Sequence, residues 1–228
     1  MQEKNIFYKS EQLLGERYYE KLAGKKVCLF GLGGVGGYAA EILVRSGIVD
    51  FVLIDGDTVD ITNLNRQIIA TRSTVGMSKC VCAKKRILDI NPDAQVEMIP
   101  EFLLPESKEL EMLFDAKLDF VIDAVDTISL KVAIAQRCEV QGIPLVSATG
   151  CGNRINASYQ FADIYKTSHC PVCKILRKRL KESGVKRLKV LYSPTEALPI
   201  HPVASVPWTP ALAGIMLGAE VVQELLNR

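Results

Sequence analysis

The sequence lacks any apolar run long enough to cross a bilayer: its most hydrophobic stretch, 211–219, is about half of the ~20 residues a membrane helix needs, and Glu220 closes it. No transmembrane span is expected. The first five residues, Met1-Gln2-Glu3-Lys4-Asn5, lack the charged-then-apolar layout of a signal peptide, so the expected compartment is the cytoplasm. Also missing are an internal repeat and a low-complexity linker. With 48% hydrophobic and 24% charged residues, the chain is not a disordered tail, a collagen-like repeat or a coiled coil. The seven cysteines (28, 80, 82, 138, 151, 170 and 173) are an odd set, and most lie in apolar runs where Cys behaves as a small hydrophobe, which argues against a secreted disulfide framework. A second Cys-x-x-Cys is absent. The lone pair Cys170/Cys173, preceded by His169, is half of a four-thiolate zinc site, and His201 is a strained choice for another ligand, so zinc is not expected. Nor is a redox pair, because 171–183 reads as the start of a basic helix rather than a thioredoxin-like unit. Cys151, between Gly150 and Gly152, reads as a packing residue rather than a catalytic thiol.

What is present is 228 residues, 25.1 kDa, enough for one large α/β unit. A chain of this size buries roughly 70% of the surface its unfolded form exposes and needs no disulfide or metal to hold a core. Short apolar runs alternate with helical periodicities. Strands are predicted at 27–30, 51–54, 120–122 and 145–147, with a weaker one at 96–99, and helices at 35–46, 78–90 and 129–141. Gly47 and Gly142 fall where helix C-caps belong. Beyond residue 150, 159–162 reads as a strand, 171–183 as a basic helix and 210–226 as a closing helix. The expected fold is α/β: a Rossmann-like, doubly wound, mostly parallel sheet with a C-terminal extension carrying the basic and closing helices. The expected organisation is a single domain, 1–228, with a nucleotide-binding core at 1–150 and a substrate-binding and closing part at 151–228.

The first chemical motif is Gly31-Leu32-Gly33-Gly34-Val35-Gly36-Gly37, placed directly after a strand and opening a helix, with Asp55 at the end of the next strand. Glycines there permit a tight turn and let backbone N–H groups and a helix N-terminus approach phosphate, while the later acid takes a ribose hydroxyl. This signals a nucleotide without separating NAD or FAD from ATP. The second constellation, Asp55-Gly56-Asp57, then Asn63-Leu64-Asn65-Arg66-Gln67, then Lys79, supplies the fixed cations that attack at an α-phosphate requires and a dehydrogenase does not. As surface charges, Arg66 and Lys79 would have no such role. Third, Asp123-Ala124-Val125-Asp126-Thr127 ends a strand at the ligand-binding edge, where Asp126 can hold Mg²⁺ against phosphates or, with Thr127, cap the next helix.

Together these motifs resemble the superfamily of ThiF-like and ubiquitin-activating adenylyltransferases, over nearly the whole chain. The resemblance implies that Gly31, Gly33, Gly34 and Gly36 line the phosphates of ATP, Asp55 and Asp57 belong to the nucleotide site, Asn63, Arg66, Gln67 and Lys79 position the triphosphate, and Asp126 serves Mg²⁺. It also implies a homodimer in which the partner's N-terminal arm supplies a basic residue, here Lys9 of Phe7-Tyr8-Lys9-Ser10-Glu11, where Arg is usual.

Within that superfamily the chain is similar to the tRNA threonylcarbamoyladenosine dehydratase group, on Thr62-Asn63-Leu64-Asn65-Arg66-Gln67-Ile68, Ile90-Asn91-Pro92, Phe161-Ala162-Asp163-Ile164-Tyr165-Lys166-Thr167-Ser168 and Cys170-Pro171-Val172-Cys173-Lys174-Ile175-Leu176-Arg177. The resemblance implies ATP-dependent activation of the carboxylate of threonylcarbamoyladenosine in tRNA and ring closure with loss of water. It leaves open a monovalent cation and a sulfurtransferase-type helper. A tRNA substrate agrees with segment 166–189, which holds nine Lys/Arg against one acid on a chain of net charge +2. Lys174, Arg177, Lys178, Arg179, Lys181, Lys186, Arg187 and Lys189 are its expected phosphate contacts; a merely solvated helix face is the plainer reading. Residues 193–202 form a loop shorter than this group leads one to expect. The alternative function is activation of the C-terminus of a ubiquitin-like sulfur carrier; a nucleotide sensor and an NAD-dependent oxidoreductase rank behind it.

Overall fold

Apolar runs of four or five residues alternate with longer amphipathic stretches, and each becomes the element its period dictates. The computed structural model describes residues 5–227; Met1–Lys4, on which the leader reading partly rests, and Arg228 lie outside the described residues. In chain order the elements are α1 (Tyr8–Leu14), α2 (Tyr18–Ala23), β1 (Lys26–Phe30), α3 (Gly36–Ser46), β2 (Asp50–Ile54), α4 (Lys79–Ile90), β3 (Gln95–Ile99), α5 (Lys108–Asp115), β4 (Phe120–Asp123), α6 (Ile128–Gln141), β5 (Leu145–Ala148), β6 (Gln160–Asp163), α7 (Pro171–Glu182), β7 (Lys189–Tyr192) and α8 (Trp208–Leu226).

The strands form one sheet in the order β3-β2-β1-β4-β5-β7-β6. All neighbours are parallel except β6, which runs antiparallel to β7 at the edge. The chain walks outward from β1 to β3, then returns to build β4 and β5 on the other side. The strand order therefore reverses between β1 and β4, where open α/β sheets part to admit ligands. The two-residue period of the strands splits the core. Leu29, Leu53 and Ile122 face the layer of α3, α4 and α8, whereas Cys28, Phe30, Val52, Ile54 and Val121 face α5 and α6. A third cluster packs Leu176 and Leu180 of α7 on Val190 and Tyr192 of β7.

The expected α/β architecture is present, including the basic and closing helices. Gly47 and Gly142 adopt left-handed conformations at the ends of α3 and α6, as predicted for C-caps. The sequence reading missed α1, α2, α5 and β7. β7 is only four residues long and starts on Lys189, the last residue of the basic segment, so charge conceals it. The closing helix is also longer than the apolar stretch that drew attention to it. α8 has 19 residues and a mean hydropathy of 1.2, long and apolar enough by itself to cross a membrane, and half of it is buried in the fold. It lies along α3, with Gly214 and Gly218 seated against Val35 and Ile42.

Candidate active site

Every loop that leaves the sheet at the reversal contributes to one cleft of about 460 Å³. Its floor is the turn after β1. Gly31 has φ +86°, and a side chain there would meet the Ala124 carbonyl at 2.7 Å. Gly33 and Gly34 line the cleft; Gly36 does not. A Cβ on Gly36 would sit 1.8 Å from the Gly31 oxygen, so its role is to let α3 start directly on the turn. The expectation that Gly36 lines a ligand is corrected accordingly: it sets the angle at which the helix N-terminus faces the cleft.

Asp55, at the end of β2, is held from two sides. Oδ2 accepts the Leu32 amide at 2.6 Å and Oδ1 accepts the Asp57 amide at 2.9 Å. Each carboxylate oxygen retains a lone pair, so the group clamps the glycine turn and still accepts from a hydroxyl. The ammonium of Lys79, the first residue of α4, is buried and donates to Asp57 Oδ2 at 2.7 Å, which fixes both at the cleft wall. Arg66 follows a 3₁₀ turn whose Asp60 cap accepts from the Thr62 amide. Its Nη1 donates to the Thr62 carbonyl at 3.0 Å and to Asn65 Oδ1 at 2.9 Å, leaving the rest of the guanidinium fork without a partner among the described residues. Asn63 and Gln67 are buried beside it, Asn63 Oδ1 accepting from the Asp60 amide. Gln67 Oε1 is buried with no partner among the described residues, an acceptor that a ligand hydroxyl or amine would satisfy.

On the far side, β4 ends in Asp123 and the chain turns through Ala124, Val125 and Asp126 into α6. Thr127 occupies the N-cap position with no side-chain bond, and the exposed Asp126 carboxylate has no hydrogen bond or ion pair among the described residues. The capping alternative for these residues does not hold. Beneath the turn lies a constellation the sequence reading missed. Asp123, fully buried, accepts from Lys131 Nζ at 3.1 and 3.0 Å and from Ser147 Oγ at 2.6 Å, while Lys131 also donates to the Ala148 carbonyl at 2.8 Å. This ties β4, β5 and α6 together, and Asp123 Oδ1 also accepts the Val125 amide at 3.2 Å, anchoring the turn that presents Asp126. The eight-residue separation of Asp123 and Lys131 carries no motif that reveals it.

Two further walls were also missed. Phe102, after β3, lies over Gly56 at one rim, with Glu101 and Leu103 beside it. Loop 193–207 folds back to supply Val203 and Ser205. Asn153 holds it by donating to the Ile200 carbonyl and accepting from the Ala204 amide, and Asn65 donates to the Ser205 carbonyl at 3.1 Å. The short loop is thus part of the cleft. Cys151 also lines it, and burial pushes its thiol up to about 11, so it is neutral at neutral pH and no nucleophile there.

Lys9, exposed on α1, does not reach the cleft of its own chain. In the basic segment, Lys174, Lys178, Arg179, Lys181, Lys186 and Arg187 are exposed. Two expected phosphate contacts are corrected. Arg177 Nη1 donates to the Thr167 carbonyl at 2.7 Å and pins the loop before α7, and Lys189 is paired with Glu220 and Glu224 of α8, its ammonium over the Phe161 ring. Carbonyls engage Arg177 and two carboxylates engage Lys189, so neither presents a free cation as the exposed residues of the segment do. A larger hollow of about 730 Å³ lies at the opposite edge of the sheet, lined by Glu139, Arg187, Lys189 and Glu224, and the glycine turn does not reach it.

The ThiF family model matches residues 8–228. The chain is 37% identical to the tRNA threonylcarbamoyladenosine dehydratase of Bacillus subtilis (strain 168), over 97% of this chain and 94% of that protein. It is 39% identical to the protein of the same name from Escherichia coli (strain K12), over 75% of this chain and 63% of that one. The fold superposes on the crystal structure of the E. coli tRNA N6-threonylcarbamoyladenosine dehydratase TcdA in complex with ATP with a TM-score of 0.89 and 31% identity, covering 97% of this chain and 93% of that one.

Proposed function

We propose, from the premise that this chain belongs to the ThiF family, that it is an ATP-dependent tRNA-modifying enzyme which adenylates the carboxylate of threonylcarbamoyladenosine and closes it into a ring with loss of water. One observation carries the reading: Arg66 and Lys79, from the connection between β2 and α4, and Asp126, from the connection between β4 and α6, converge with the glycine turn on a single cleft. ATP seats its phosphates at the N-terminus of α3, where backbone N–H groups and the helix dipole favour negative charge. Asp55 and Gln67 present acceptors to the ribose or base.

The substrate carboxylate attacks the α-phosphorus, forming a carboxyl-to-phosphorus bond as the bond to pyrophosphate breaks. Arg66 and Lys79 stabilise the charge that moves onto pyrophosphate; such fixed donors are typically worth ~10²–10³ in rate each. Asp126 would hold Mg²⁺, and its unpaired carboxylate at the cleft suits a hard, oxygen-seeking cation. The ion, when bound, neutralises phosphate charge. A nearby ureido nitrogen then attacks the activated carbonyl and AMP leaves. Because this step is intramolecular, positioning alone supplies ~7–11 kcal/mol, and no covalent protein intermediate is needed.

The six exposed cations of 174–187 are proposed to hold the tRNA through its phosphates. The chain is proposed to work as a cytoplasmic homodimer, with the partner's Lys9 completing the cleft. Trp208, Leu212 and Ile215 support that reading, because they form an exposed apolar stripe on α8, whose Pro210 lines the cleft. The test incubates the chain with ATP, Mg²⁺ and threonylcarbamoylated tRNA and weighs the nucleoside. Loss of one water is expected. An unchanged nucleoside, with pyrophosphate released only when a ubiquitin-like carrier is added, would replace this reading with the alternative.

A further inference from the structure

We propose that a shallow groove between α6 and α7 holds the unpaired nucleotides flanking the modified adenosine of the tRNA, seating a base on Arg179 and Ile175 and leading the strand into the cleft. The inference rests on the tRNA reading above and names a base subsite which that reading leaves open. The groove has a volume of about 640 Å³, within the ~300–1,000 Å³ of ordinary ligand sites. Its floor is apolar. Ile128 and Val132 of α6 pack on the α7 cluster, Pro105 walls one side, and Ile175 stands 54% exposed on α7.

Hydrogen bonds fix the walls. Arg137 Nη2 donates to the Pro105 carbonyl at 2.9 Å, which holds that wall on α6. Gln136 Nε2 donates to the Ser183 carbonyl at 3.2 Å, which joins α6 to the end of α7 away from the cleft. The other end opens toward the cleft: Leu103 and Thr127 line the cleft, and Pro105, Ile128 and Ser129, one or two residues along the same segments, line the groove. On the outer side, Ile175 and Arg179 also belong to the surface that Lys174 and Lys178 present. Cleft, groove and basic face therefore form one connected path.

That order decides the occupant. With the reacting nucleoside in the cleft and phosphates on the basic face, the covalent chain between them has to cross the groove. A strand there sets phosphates beside Lys174 and Lys178, about one helical turn apart, and turns unstacked bases toward the apolar floor. Among the described residues no aromatic ring lines the groove, so the planar guanidinium of Arg179 is the surface on which a base stacks. Arg179 meets Glu182 at 3.6 Å, but both side chains are exposed, and so weak a pair gives way to a ligand. An acidic peptide would find the same cations, yet nothing would require it to continue into the cleft.

The test measures binding of threonylcarbamoylated tRNA to the full chain across a salt series, with the wild-type preparation also assayed for loss of water from the nucleoside. Ile175→Asn and Arg179→Lys remove base contacts and no charge, so each is expected to weaken binding roughly fivefold or more at every salt concentration, with an unchanged slope of log affinity against log salt. Val140→Asn, at an exposed apolar position near the far end of α6, is expected to bind like wild type. In the wild-type chain, tRNA carrying 4-thiouridine beside the modified adenosine is expected to photo-crosslink within 128–136 or 175–183, a readout that needs no variant. Wild-type affinity in both groove variants, a loss that appears only as a changed slope, or crosslinks confined to other segments would overturn the groove, and water loss by the wild type would leave the tRNA reading standing. Absence of water loss would overturn both. Weaker binding of a ubiquitin-like carrier with tRNA binding intact would overturn the proposal in favour of a protein partner.

Discussion

Two groups of charges meet different fates in this fold. Arg66 and Lys79 lie on one connection and Asp126 on another, and they come to one cleft. The cations of 166–189 form one run in sequence and part company: seven are exposed, while Arg177 and Lys189 are engaged by the structure itself. The first group sits on the connections that follow β2 and β4, whose paired strands bring them beside a glycine turn that only one side-chain size permits. The second is placed by whichever carboxylates and carbonyls the packing brings near. Sequence density of charge is therefore a poor guide to a binding face, and position at a strand's carboxyl end is a good one.

The comparison breaks most readily where the cleft is anchored. Lys131→Ala leaves Asp123 buried without its cation and is expected to cost ~3–5 kcal/mol, read as the denaturation midpoint. Replacing both partners by apolar residues of similar volume is expected to recover most of it. A loss under about 1 kcal/mol for the single variant would show that the pair does not anchor the turn.

Arg66→Ala is next. It touches no core contact, so the fold is expected to survive, while pyrophosphate exchange falls ~10²–10³-fold. Full exchange would remove Arg66 from the phosphates. The basic face is tested by salt. Lys178→Ala and Lys181→Ala are each expected to make the log affinity for tRNA against log salt shallower by roughly one unit. Lys189→Ala, whose charge is spent on Glu220 and Glu224, is expected to leave that slope unchanged and lower stability instead; equal slopes for all three would erase the distinction between outward and inward cations.

The smallest effect concerns pH. Burial would raise the carboxyl of Glu41, but hydrogen bonds from Arg86 and Arg45 outweigh it, and the group is held below its ordinary value. Its folded value is depressed, so its contribution is present above the unfolded value of about 4.3 and is lost as pH falls through the lower folded value. Wild-type stability is expected to drop across that acidic window more steeply than that of Glu41→Gln. Parallel curves would contradict the ion pair.

The same contrast explains what could be read in advance. The β1 turn, Asp55 and the strand-end Asp126 were legible because they combine a backbone requirement with a position. So were Gly47 and Gly142, which cap helices in the left-handed conformation. Asp123–Lys131 was not, because it forms only when α6 docks on β4 and β5, and neither residue stands out in its own segment. Phe102 and loop 193–207 were invisible for a similar reason: their place at the rim depends on how connecting segments fold over the sheet.

The most direct measurement is ATP–pyrophosphate exchange by the purified chain with three candidate acceptors in turn: threonylcarbamoylated tRNA, the same tRNA without the modification, and a ubiquitin-like protein ending in Gly-Gly. Exchange with the modified tRNA alone is the expected result. Exchange that requires the small protein, or that proceeds equally with unmodified tRNA, would contradict a cleft built to make that one carboxylate electrophilic.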